Sequence, residues 1–286
     1  MSPKLLRFQT DTDFFVSSFG YGNPDNPPVF LLHGGGQTAH SWGDTAQLLA
    51  ESGYYAIALD ARGHGDSDWS KIGDYSSEKL VQDLKAVIQQ VGGKPALIGA
   101  SMGGIVSLIA EGESESSIAS AIVLVDIAPK AEQKGIERIF AFMSANMESG
   151  FENIEEAAQA VAAYLPHRTR NNDTSRLEKN LRFRNGRWYW HWDPAMLKMW
   201  QNSTPTHKIE HEQRLFKAAL KLTVPTLIIR GGISDVVSER VMAEFLDAVP
   251  NVRSAAVAGA GHMVAGDSNH SFTKAVIDFL AEVYPI

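Results

Sequence analysis

Short apolar runs recur along the chain: "PPVFLLHG", "YYAIALD", "PALIGA", "SAIVLVDIAP", and much later "VPTLIIRGG" and "VRSAAVAGAGH". They are continuous rather than alternating. That is the pattern of strands covered on both faces, as in a parallel sheet. Between them lie stretches with helical period. In "SSEKLVQDLKAVIQQVGG" the residues Leu80, Leu84, Val87, Ile88 and Val91 share one stripe, and Gly92 and Gly93 stop the helix. "SFTKAVIDFLAEVY" repeats the pattern with Phe272, Val276, Leu280 and Val283. Strand and helix in alternation predict an α/β fold: a mostly parallel central sheet with helices on both faces. Such sheets carry their sites at the carboxyl ends of the strands.

The rhythm breaks over residues 130–221, which read as helical, charged segments inserted into the sheet-forming chain. The expected organisation is a core of 1–129 and 222–286 carrying a mainly helical insertion, 130–221. Within it, "LRFRNGRWYW" contains Asn185-Gly186, a strong signal for a two-residue hairpin turn. That turn pairs Phe183 with Trp188 and Leu181 with Trp190, so these four share an apolar face that packs on helices of the insertion.

A formal net charge of −7 argues against a nucleic-acid or anionic-membrane surface. The absence of cysteine excludes disulfides, thiolate zinc sites and a cysteine nucleophile. No apolar stretch is long enough to span a bilayer, and the first residues do not read as a signal peptide. A soluble, cytoplasmic protein of undetermined oligomeric state is expected. His191, His207 and His211 do not imply zinc, and no metal or cofactor is expected.

Glycine weakens strands and helices alike. Yet "LIGASMGG" sets Gly99, Gly103 and Gly104 around Ser101, between an apolar run and a helical one. A sharp strand-to-helix turn explains this: it lifts the serine oxygen clear of the backbone and demands very small neighbours. The plain alternative is a helix-start serine with glycines for packing. A serine hydroxyl needs a base. His262 in "GAGHMV" follows an apolar strand and falls on the same sheet edge. The base needs an acidic partner to set its tautomer. Asp235 in "GGISDVVS" is the preferred candidate and Asp126 in "VLVDIAP" the second. "LLHGGGQ" offers backbone donors after another strand. It lacks the Gly-Lys-Ser/Thr ending of a phosphate loop, and its spacing fails the dinucleotide fingerprint.

The segments "LLHGGGQTAHSW", "ALDARGHGDSD", "LIGASMGG", "VLVDIAP", "PTLIIRGGISDVVS" and "GAGHM" together resemble the α/β-hydrolase superfamily on both sides of the insertion. The order Ser101, Asp235, His262 matches that superfamily's nucleophile, acid and base. The resemblance implies an oxyanion hole of the Gly35 and Met102 N–H groups, with Gly36 as a replacement for Gly35. It implies that Arg62, His64 and Ser67 brace a loop, and that residues 130–221 form a cap. It implies acyl transfer from a small, largely apolar carboxylic ester to water, without a cofactor. Acyltransferase, carbon–carbon hydrolase and perhydrolase chemistry use the same triad, and a small-molecule receptor with an intact triad is the alternative outside enzymes. The aspartate-nucleophile members are disfavoured by Ser101.

Overall fold

A computed structural model describes residues 2–166, 175–267 and 269–286. Residues 167–174, inside the expected insertion, lie outside the described residues. The strands in chain order are β1 (Lys4–Asp11), β2 (Phe14–Tyr21), β3 (Pro28–Leu32), β4 (Tyr55–Leu59), β5 (Ala96–Ala100), β6 (Ala121–Val125), β7 (Leu181–Arg184), β8 (Arg187–Trp190), β9 (Thr226–Gly231) and β10 (Val252–Val257). The helices are α1 (Gly43–Glu51), α2 (Ser77–Val91), α3 (Met102–Gly112), α4 (Gln133–Ser144), α5 (Ile154–Tyr164), α6 (Ser175–Glu178), α7 (Pro194–Gln201), α8 (Pro205–Ala219), α9 (Glu239–Ala248), α10 (Val264–Asp267) and α11 (Asn269–Val283).

The main sheet runs β1-β2-β4-β3-β5-β6-β9-β10. From β4 to β10 every pairing is parallel, while β1 and β2 join antiparallel at one edge. The six apolar runs form the six parallel strands. Alternate residues of each strand feed two cores. Phe30, Ile57, Leu97, Ile122 and Ile228 face α2, α3 and the inserted segment. Val29, Leu31, Ala56, Ile98, Val123 and Ile229 face α1 and α11. Burial on both faces is the physical reason β3, β4, β5, β6 and β9 carry no polar alternation, whereas edge strand β10 exposes Arg253 and Ser254.

Helix α2 begins at Ser76, whose side chain accepts from the Lys79 N–H, and stops at Gly92. Its buried residues include Leu80, Leu84, Val87 and Ile88. The segment between β6 and β9 carries α4 to α8 and the β7–β8 ribbon. The ribbon has the register its Asn-Gly turn predicts, Leu181 opposite Trp190 and Phe183 opposite Trp188. Its apolar face is buried only at one end. Trp190 packs on Phe142 of α4 and on Phe151, whereas Phe183 is 61% exposed. Met143, Trp190, Trp192 and Leu197 from this segment merge into the same core as α2 and α3.

Candidate active site

Strand β5 runs into Ser101, which takes φ 46° and ψ −112° before α3 begins. A serine with positive φ is strained, and the packing around it shows what holds it there. A Cβ on Gly103 would lie inside contact distance of the Leu32 carbonyl, and one on Gly99 would collide with the Gly103–Gly104 backbone. Only glycine lets α3 start this close to β3 and β5. Ser101 occupies the N-cap position, but its side chain makes no capping hydrogen bond. Ser76, Asn153, Asp193, Thr204 and Ser238 all cap their helices. Ser101 therefore stands at a helix start, packed by glycines, without capping the helix.

The end of β6 adjoins this turn, because the Ser101 N–H donates to the Val125 carbonyl at 3.1 Å. The next residue is Asp126, fully buried, with φ 49°. Its Oδ1 accepts from the Gly231 N–H at 2.8 Å, and its Oδ2 from the Ser234 hydroxyl at 2.6 Å. The same Oδ2 lies 2.7 Å from Nδ1 of His262. An ionised carboxylate only accepts, so His262 carries its proton on Nδ1 and leaves Nε2 free to take one.

This geometry corrects the expectation that Asp235 is the partner of His262. Both Asp235 oxygens are taken by Arg138 of α4, with Nε to Oδ2 at 2.6 Å and Nη2 to Oδ1 at 2.9 Å. Burial pushes the Asp235 carboxyl up, but the Arg138 guanidinium, with smaller help from its own backbone N–H and from His262, leaves it below its ordinary value. Helix α4 sits directly on this loop, since a Cβ at Gly135 would meet the Asp235 carbonyl. In sequence both aspartates follow apolar strands. Neither Arg138 nor Ser234 gave a local signal.

The glycine loop after β3 is held peptide by peptide. The Gly34 N–H donates to Gln37 Oε1 at 2.9 Å, and the Gly36 N–H to His64 Nε2 at 3.1 Å. Among the described residues the Gly35 N–H has no protein acceptor. Met102 opens α3, so its N–H has no partner within the helix. A Cβ at Gly34 would stand 3.4 Å from that of Ser101, which sets the loop against the serine. Gly36, the expected replacement for Gly35, is spent on His64.

Three buried histidines frame this loop. His33 donates from Nδ1 to the Gly34 carbonyl at 2.8 Å and accepts the Ala61 N–H on Nε2. His64 faces the Arg62 carbonyl through Nδ1. His191, just beyond β8, accepts the Gly65 N–H on Nδ1 at 2.8 Å and reaches the Gly36 carbonyl with Nε2 at 3.4 Å. Burial pushes His33 down to about 4 and His64 to about 3, and lowers His191 well below its ordinary value, so all three are neutral. Arg62 pairs with buried Asp83, and Ser67 bonds the Asp60 carbonyl and the Ser17 N–H. These are the loop braces expected of Arg62, His64 and Ser67. The inserted segment roofs the loop: Met143 and Trp200 each stand 3.8 Å from a Cβ position on Gly35, and Trp192 3.3 Å from one on Gly36. His191, Met143 and Trp200 were not legible as site residues, because nothing near them in sequence points to the glycine loop.

Among the described residues no group of three or more His, Cys, Asp or Glu side chains could hold a metal ion, and no helix is long and apolar enough to cross a membrane.

Residues 24–269 match the model of the serine aminopeptidase S33 family. The chain is 28% identical to the esterase Rv0045c of Mycobacterium tuberculosis over 96% of its own length and 88% of that protein's. It is also 28% identical to the mouse sn-1-specific diacylglycerol lipase ABHD11, over 91% of its length and 83% of that protein's. In fold it is similar to E-2-(acetamidomethylene)succinate hydrolase, with a TM-score of 0.84, 22% identity, and coverage of 98% of this chain and 99% of the other. A solved structure of the M. tuberculosis esterase aligns with a TM-score of 0.76 and 26% identity, over 99% of this chain and 92% of the other. The chain is a hydrolase and belongs to the serine aminopeptidase S33 family of the α/β-hydrolase superfamily.

Proposed function

We propose that the chain hydrolyses small, largely apolar carboxylic esters through an acyl-enzyme on Ser101. The observation that carries this reading is the contact of His262 with buried Asp126, on the sheet edge where Ser101 is held in a strained turn. His262 Nε2 takes the Ser101 proton as Oγ attacks the ester carbonyl carbon. The Gly35 and Met102 N–H groups hold the developing oxyanion, each donor contributing a few kcal/mol. The tetrahedral intermediate collapses, the carbon–oxygen bond to the alcohol breaks, and the alcohol leaves with the proton from Nε2. Water then attacks the acyl carbon, gives a proton to Nε2, and Ser101 departs with it. Asp126 stays ionised and stabilises the imidazolium that forms twice per cycle.

Residues 130–221 act as a cap over this site, and Met143, Trp192 and Trp200 at the glycine loop favour an apolar substrate. The names of the esterase and lipase relatives support an ester as the substrate class. The lack of cysteine fits a reducing, cytoplasmic setting. The test is hydrolysis of p-nitrophenyl esters of graded acyl length, with Ser101→Ala as control. Turnover that disappears in Ser101→Ala is expected. Turnover that survives it, or none in the native chain with any ester, overturns the reading.

A further inference from the structure

The peptides of the glycine loop form a hydrogen-bonded series that begins in the inserted segment. His191 accepts the Gly65 N–H on Nδ1, which leaves its proton on Nε2, facing the Gly36 carbonyl. A trans peptide is planar, with its carbonyl and N–H pointing opposite ways. The peptide whose carbonyl belongs to Gly36 has its N–H on Gln37, and that N–H donates to the Gly34 carbonyl at 3.1 Å. The peptide whose carbonyl belongs to Gly34 has its N–H on Gly35, the proposed oxyanion donor. The series therefore runs from His191 through the Gly36 peptide and the Gly34 peptide to the oxyanion. Each link both orients the next and polarises it.

His33 supports the second peptide from the core, but among the described residues only His191 donates to the Gly36 carbonyl. Gly36 has φ +75°, which glycine adopts without strain, and the peptide that carries its carbonyl is held at one end by the Gln37–Gly34 bond and at the other by His191. The His191 ring is itself fixed. It is 1% exposed, lies edge-on to Trp192, and its backbone N–H donates to the Asn180 carbonyl. Asn180 in turn accepts from Thr38, beyond the glycine loop. A side chain at this place must accept from Gly65 and donate to Gly36 in one rigid neutral plane. A neutral imidazole does both.

Building on the ester-hydrolase reading, we propose that His191 is a positioning residue of the reaction, through which the inserted segment aims the Gly35 N–H at the oxyanion. The oxyanion hole is thus complete only when this segment is seated on the glycine loop.

The experiment compares His191→Phe, His191→Gln and His191→Asn in the full chain. Glutamine keeps a donor toward Gly36, whereas asparagine keeps only an acceptor for Gly65. The readouts are kcat, KM, inhibition by phenylboronic acid, thermal stability, and amide hydrogen exchange at Gln37. The acid forms a tetrahedral adduct with a serine oxygen and so reports on transition-state binding. Phenylalanine and asparagine should lower kcat about tenfold, less than outright removal of an oxyanion donor. KM should hold within about twofold, and boronate affinity should fall by the same factor as kcat. Glutamine should recover most of the loss, and Gln37 should exchange faster in the asparagine variant than in the glutamine one. A rise in KM with kcat intact, or asparagine and glutamine behaving alike, overturns the proposal. Should phenylalanine prevent folding, the asparagine–glutamine contrast decides alone. Absence of Ser101-dependent turnover in the native chain would count against the ester reading instead, and the exchange contrast would still judge His191.

Discussion

His262 Nδ1 and Asp126 Oδ2 are 2.7 Å apart, while both oxygens of Asp235 are held by Arg138. The two aspartates should therefore separate by mutation. Asp126→Asn leaves no carboxylate to fix the His262 tautomer, and kcat should fall about 10³-fold or more. Asp235→Asn removes a half-exposed ion pair worth about 1 kcal/mol or less, so activity should stay within a few-fold and stability drop slightly. Esterase kinetics and melting curves of both variants check this. Loss of activity in Asp235→Asn with Asp126→Asn unimpaired would return the role to Asp235.

That ambiguity shows what a linear sequence withholds. Asp126 and Asp235 both follow buried strands and look alike locally. What distinguishes them is Arg138, which meets Asp235 across 97 positions of chain, and Ser234, which folds back onto Asp126. Five of the six parallel strands were legible because burial on both faces leaves an unbroken apolar run; edge strand β10 keeps a buried residue at each end and exposes Arg253 and Ser254. The β7–β8 register was legible because Asn185-Gly186 sets it locally. Strands β1 and β2 carry no such signal. In "KLLRFQTD" the inward face of Leu6, Phe8 and Thr10 is short and only partly buried, and exposed Leu5 on the other face blurs the alternation. The serine turn was legible through its glycines, since their small size is a local requirement. The histidine frame was not, because it joins loops far apart in the chain.

The glycines of the site fall into two kinds. A methyl at Gly103 meets the Leu32 backbone, which cannot yield without moving α3 off the sheet. A methyl at Gly35 meets Met143 and Trp200 at ordinary contact distance. Gly103→Ala should cost about 3 kcal/mol or more and abolish activity with the turn. Gly35→Ala should keep its melting temperature within a few degrees but lose activity, because the methyl occupies space beside the oxyanion. Equal melting temperatures for the two variants would contradict the packing argument.

Trp200 is partly buried, packs edge-on against Phe140 with ring centroids 5.5 Å apart, and approaches Gly35 with its outer ring carbon. Trp200→Ala should open the roof without leaving a closed core cavity. The activity profile across p-nitrophenyl esters should then move toward longer or bulkier acyl groups, with the change carried mainly by KM. An unchanged profile would mean the substrate enters from another side.

The buried histidines also predict how stability responds to acid. His33 and His64 are pushed down to about 4 and about 3, and His191 is lowered further than its ordinary value in the same way. In the unfolded chain each titrates near 6.5. Above about pH 7.5 all are almost wholly neutral in both states and contribute little slope. Below about pH 6.5 the unfolded chain binds protons that the folded one refuses. Stability must then fall as pH falls, by up to about 1.4 kcal/mol per pH unit for each histidine. The loss ends only when the folded histidines protonate. Carboxylates also titrate at the lower end, so the informative window is about pH 6 to 5. There, denaturant unfolding of His191→Gln should show a slope shallower by about one proton than that of the native chain. Identical slopes would mean that His191 is accessible to protons in the folded state, and the neutral frame around the glycine loop would have to be abandoned.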